Sequence, residues 1–147
     1  MDAEDLGTDL EKVLIDEATL QARLSEMAAQ VDVDYEGRDV LLVGVLKGAV
    51  MVMADLARAM SIHLQMDWMA VSSYGSSTKS SGVVRILKDL DTDITGRHVL
   101  IVEDIIDSGL TLSWLMRNLT ARGAASVEVL TMLRKPEAVK VELEPKY

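Results

Sequence analysis

Cysteine is absent from the 147 residues, which removes disulfides, thiolate nucleophiles and cysteine metal sites together. No apolar run approaches the length that crosses a bilayer, so a membrane partner is not expected. The opening stretch MDAEDLGTDLEKVL is acidic and lacks the basic-then-apolar order of a secretory signal. The cytoplasm is the expected compartment. Basic residues are in short supply: 15 Lys and Arg stand against 24 Asp and Glu, a formal net charge of −9, which argues against nucleic acid as a partner. An anionic ligand must then be met by local donors or by a metal. Phenylalanine is also missing, while methionine occurs nine times. Those between Met51 and Met69 read as core packing.

What is present suits one folded domain over residues 1–147, with the acidic stretch of about residues 1–12 expected to be flexible. Hydrophobic residues make up 49% and charged residues 27%, which excludes a wholly disordered chain. Leu20, Leu24, Met27 and Val31 recur at helical spacing after Asp16 or Thr19 as a cap. DVLLVGVLKG is too short for a typical helix and too apolar for a half-exposed strand, so it reads as a central parallel strand. AVMVMADLARAM reads as a helix, and HLQMDWMAVSSY as a strand that the polar GSSTKSSG interrupts. VVRILKDL and the buried Val99 to Val102 are further strands. TLSWLMRNLTARG places Leu112, Leu115, Met116 and Leu119 on one helical face with Gly123 as its stop, and SVEVLTML is the last strand. This alternation predicts an α/β fold with a mainly parallel central sheet flanked by helices.

The chemistry concentrates in VLIVEDIIDSGLT, residues 99–111, where an apolar strand runs into Glu103, Asp104 and Asp107. Buried carboxylates repel one another and lose hydration, so a cation, hydroxyl donors or a proton must compensate. In open parallel sheets ligands lie beyond the carboxyl ends of the strands. Ser108, Gly109 and Thr111 then lead into a helix, whose free N–H groups favour a phosphate. Carboxylates that accept from hydroxyls, next to amides that hold a phosphate, suit a ribose 5-phosphate. The plainer alternative is that Asp107 caps the helix and Glu103 and Asp104 sit at a solvated strand end.

VLIVEDIIDSGLTL resembles the phosphoribosyl-diphosphate motif of the type I phosphoribosyltransferases. LLVGVLKGAV, MAVSSYGSST, VVRILKDLD and LRKPEAV resemble, in order, further blocks of the hypoxanthine-guanine branch of that family. The resemblance implies an enzyme of purine salvage. It would transfer the phosphoribosyl group from 5-phosphoribosyl 1-diphosphate to hypoxanthine or guanine, giving IMP or GMP and pyrophosphate, with Mg²⁺ as cofactor and a homodimer or homotetramer as the assembly. It implies that Glu103 and Asp104 engage the ribose hydroxyls and help indirectly with the metal, and that Asp107 exchanges the proton at purine N7. Ser108, Gly109 and Thr111 would hold the 5-phosphate.

By the same resemblance, Lys47 and Gly48 hold pyrophosphate, after a cis peptide bond. Ser73 and Tyr74 open a mobile loop, and Lys135 reads the oxygen at C6, selecting 6-oxopurines over adenine. Taken from the residues alone, LKG reads as an ordinary strand-to-helix turn with a surface lysine, GSSTKSSG serves as well as a floppy hairpin, and Lys135 as a surface side chain beside Arg134. His63 and His98 read as structural. The resemblance also implies a further strand, a base-stacking aromatic residue and a metal-binding aspartate after VELEPKY. A regulator that senses phosphoribosyl diphosphate on the same fold is the rival, but it should show a basic face or a DNA-binding element. A phosphoryl-transfer enzyme should show a Walker signature, and none is found in the sequence.

Overall fold

The computed structural model of the chain describes residues 3–73 and 84–147. Five strands form one sheet: β1 (Val40–Val45), β2 (Leu64–Ser73), β3 (Val84–Lys88), β4 (His98–Ile106) and β5 (Ser126–Arg134), in the order β3-β2-β1-β4-β5. β1 pairs in parallel with β2 and β4, and β4 with β5, while β3 joins β2 antiparallel. The sheet is thus mainly parallel, as its apolar strands require.

Both faces of β1 and β4 are covered. Leu41, Val43, Val99 and Ile101 pack on one side with Leu112, Leu115 and Leu119 of helix α3 (Leu110–Ala121). Val40, Leu42, Leu100 and Val102 pack on the other with helices α1 (Glu17–Asp34) and α2 (Val50–Ala59), through Met27, Val31, Met53 and Leu56. Alternate residues of each strand therefore feed two separate cores.

Local signals explain the helix ends. Asp16 caps α1, its carboxylate accepting from the Thr19 N–H at 2.8 Å. Beyond α3, Gly123 adopts φ +85° and turns the chain toward β5. Two expectations change. Met53, Met60 and Met69 are buried, but Met51 is 69% exposed on α2 and Met66 is exposed on β2, so not every methionine in that stretch fills a core. The strand predicted for Val99 to Val102 runs on to Ile106, because β5 keeps pairing with it. The N-terminal acidic stretch includes a 3-10 segment over Ala3–Asp9.

Candidate functional site

A crevice opens where β1 ends and β4 continues. β1 pairs with β4 only as far as Gly44↔Val102, whereas β5 keeps register to Ile106↔Arg134. Glu103 to Ile106 therefore overhang β1. The chain leaves β1 at Leu46, whose N–H donates to the Met69 carbonyl at 2.8 Å. From β1 the path turns through α2 to β2, and from β4 through α3 to β5, on opposite sides. Such a reversal is where open α/β sheets hold their ligands.

At the head of β4 a cavity of about 140 Å³ is lined by Glu103, Asp107, Ser108, Gly109 and Thr111, with Ile105, Ile106 and Leu112 as its apolar wall. Gly109 stands before α3 with φ +77°, a conformation that L side chains rarely adopt. The Leu110 N–H donates to Ser108 Oγ at 3.4 Å, and the Ser113 N–H to the Gly109 carbonyl at 2.9 Å, starting the helix. Amides of the first turn have no intrahelical acceptor, and the helix dipole adds positive potential, so this end suits an anion. The side-chain acceptor at the start of α3 is Ser108 Oγ and not Asp107, which sets aside the capping role for Asp107.

The three acids separate. Glu103 follows Val99 and Ile101 on the α3 face of β4, half-buried in the cavity wall. Burial pushes its carboxyl up to about 8, with the neighbouring Asp104 charge adding to the effect. Asp104 follows Leu100 and Val102 onto the opposite face, lining an apolar cleft of about 220 Å³ with Leu24, Met51 and Met132. Its Oδ1 accepts from the Ile105 N–H at 2.8 Å. Asp107 is 64% exposed, with Lys135 Nζ 3.8 Å from its Oδ2. The Lys135 N–H donates to the Ile106 carbonyl at 2.9 Å, which fixes this lysine beside the cavity mouth. The expectation of three buried carboxylates together is thus replaced by one in the cavity, one across the strand and one at the rim.

Asp104 meets the loop after β1. The Leu46–Lys47 peptide bond is cis, as the family resemblance implies. Lys47 and Gly48 are exposed. A Cβ on Gly48 would lie 2.8 Å from the Asp104 Cγ and 2.9 Å from its Oδ1, so any side chain here forces the carboxylate or the loop to shift. Among the described residues no cluster of three His, Asp or Glu is arranged to hold a metal. Glu103 and Asp104, on opposite faces, do not form a chelating pair. Asp104 alone is a hard oxygen donor beside the loop, and one such carboxylate fits Mg²⁺, which takes most of its shell from substrate oxygens and water.

Ser73 ends β2; Tyr74 and the rest of the expected mobile loop lie outside the described residues. His98 is structural, with Nδ1 2.8 Å from Ser126 Oγ and its ring edge-on to Tyr35. No structural role is predicted for residues 138–144, although LRKPEAV reaches Val139. There the alternation Val139, Val141, Leu143 was a usable signal, since all three pack onto the α3-side core.

The phosphoribosyl transferase domain family matches residues 15–147 of the chain. The hypoxanthine-guanine phosphoribosyltransferase of Mycobacterium tuberculosis is 57% identical over 145 residues, covering 95% of this chain and 72% of that protein. The enzyme of the same name from Bacillus subtilis is 48% identical over 139 residues, covering 95% of this chain and 77% of that protein. Among solved structures, a hypoxanthine phosphoribosyltransferase from Staphylococcus aureus superposes with a TM-score of 0.93 at 41% identity, over 97% of this chain and 78% of that one.

Proposed function

The chain belongs to the phosphoribosyl transferase domain family and, within it, to the hypoxanthine-guanine enzymes, and on that premise we propose the reaction of its site. It is a pentosyl-transferring enzyme of purine salvage. It joins hypoxanthine or guanine to 5-phosphoribosyl 1-diphosphate, forming a bond from a ring nitrogen to the anomeric carbon, breaking the bond from that carbon to pyrophosphate, and giving IMP or GMP.

The observation that carries this reading is the Asp107–Lys135 pair at the rim of the cavity formed by Glu103, Ser108, Gly109 and Thr111. N7 and the C6 oxygen lie on one edge of a 6-oxopurine, so two adjacent side chains address both. Lys135 donates to the oxygen, which an adenine amine would not accept. Asp107 holds or takes the N7 proton as the base becomes a nucleotide. Ser108, Gly109 and Thr111 bind the 5-phosphate through amides and hydroxyls at the start of α3. Glu103 accepts from a ribose hydroxyl, while Lys47 and Gly48 hold pyrophosphate, with Asp104 beside them. Positive charge develops at the reacting carbon, where water must be kept out.

Mg²⁺ supplies charge neutralisation and orientation of the pyrophosphate when bound. The whole of 1–147 acts as one domain. It assembles as a homodimer or homotetramer, a reading that the exposed Met51 and Leu14 support. Its phosphoribosyl diphosphate substrate is highly charged and does not cross bilayers, which supports the cytoplasm as the compartment.

The test is direct. Purified full-length protein with phosphoribosyl diphosphate, Mg²⁺ and hypoxanthine or guanine forms IMP or GMP, followed by chromatography. Formation of neither, or of AMP from adenine in preference, overturns the reading.

A further inference from the structure

The segment after β5 has no regular secondary structure, yet it lies across the entrance to α3. The Lys140 N–H donates to the Ser108 carbonyl at 2.9 Å. Val141 Cγ2 lies against Gly109, 2.9 Å from where a Cβ there would stand. Val139, Val141 and Leu143 turn onto the core, while Lys140, Glu142 and Glu144 are exposed. Both ends are tied. The Ala138 N–H donates to the Lys135 carbonyl at 3.0 Å. The Arg134 guanidinium donates to the two Glu144 oxygens at 2.8 and 3.0 Å and to the Leu143 carbonyl at 3.3 Å.

From these contacts we propose that residues 138–144 form a strap and that Val141 is a positioning residue for the Ser108–Gly109 turn. The proposal rests on the reading of the cavity as a phosphate site. A glycine with positive φ gives the turn its shape, but it has no side chain to hold that shape and more conformations to lose on ordering. Val141 occupies the side that Gly109 leaves bare, and the Lys140 amide fixes the carbonyl one residue earlier. Amides that must meet an anion together gain most from being held before it arrives. Val141 touches no ligand and acts only through the turn.

Calorimetry with two probes tests this in the intact chain. Ribose 5-phosphate reports on the cavity at α3, and pyrophosphate with Mg²⁺ reports on the Lys47–Gly48 loop. Val141→Ala should weaken ribose 5-phosphate about tenfold while pyrophosphate changes by less than about twofold. Val141→Ile keeps a γ carbon against Gly109, as a methylene in place of the methyl, and should leave ribose 5-phosphate at about the wild-type affinity. Equal loss of both probes would mean general loosening, and unchanged ribose 5-phosphate binding in folded Val141→Ala would mean that the turn holds itself; either overturns the proposal. Failure of the wild-type chain to bind ribose 5-phosphate would instead overturn the phosphate reading, and the strap with it.

Discussion

Glu103→Gln isolates the cost of keeping a carboxylate in the cavity at the head of β4. Burial first and the Asp104 charge second raise the Glu103 carboxyl from 4.5 to about 8. The folded protein therefore keeps a proton that the unfolded chain has released, throughout the window between those values. Stability has the slope 2.303RT times the protons bound unfolded minus those bound folded, which here is negative. It must fall as pH rises from about 4.5 through 8 and level off above.

At about 1.36 kcal/mol per pH unit, the full window corresponds to about 5 kcal/mol in a cavity that neither relaxes nor admits water. With relaxation and water entry, about 2–3 kcal/mol should be expressed. Glutamine has nearly the same shape and no such titration. Urea unfolding of the ligand-free protein at pH 5, 7 and 9 should show the wild type losing about 2–3 kcal/mol more than Glu103→Gln between the extremes. In an Asp104→Asn background the wild-type loss should shrink, since one of its two causes is gone. Parallel pH profiles for wild type and Glu103→Gln would refute the reasoning, because they would show a carboxylate ionised at no cost.

Three further outcomes follow from the site. Asp107→Asn should lower turnover by about 10²–10⁴-fold while phosphoribosyl-diphosphate affinity changes little, measured by steady-state kinetics and calorimetry; comparable losses in both would remove the proton-transfer role. Lys135→Ala should cost 6-oxopurine recognition about 1.5–3 kcal/mol and leave pyrophosphate binding intact, and unchanged hypoxanthine kinetics would make Lys135 a surface residue only. Gly48→Ala drives a methyl into the Asp104 carboxylate and should destabilise by about 1–3 kcal/mol in thermal unfolding. Gly48→Ala combined with Asp104→Ala should recover part of that loss, and simple additivity would show that the two residues do not meet.

The layered fold was legible because its signals are local. Asp16 sits at the N-cap that its type favours, Gly123 ends α3, and the unbroken apolar runs of β1 and β4 announce strands buried on both faces. The length of β4 was not legible. Glu103 and Asp104 look like the polar end of a strand, and what keeps them in it is the ladder to β5, a partner more than twenty residues away. Sequence adjacency also suggested that the two acids act side by side, although the period of a strand sends them to opposite faces. Nearness of Asp107 to Lys135 came from the family resemblance, since 28 positions separate them and only the crossover through α3 brings them within 3.8 Å. Met51 and Met66 were misjudged because composition cannot tell which side of an element a residue occupies.

The long ladder between β4 and β5 also constrains how this protein can change by insertion and deletion. Register from His98↔Ser126 to Ile106↔Arg134 works as a reading frame for the acids. Losing one residue between Val99 and Val102 would exchange the faces of Glu103 and Asp104, put Glu103 in the buried place of Val102 among the α1 and α2 side chains, and leave the cavity only the shorter Asp104. A change of two residues would keep the faces but carry both groups about 6.6 Å along the strand, away from Gly48 and from the α3 entrance. Descendants of this sequence can therefore vary in length in the turn before His98 or beyond α3. Within β4 they can substitute, but they cannot shift.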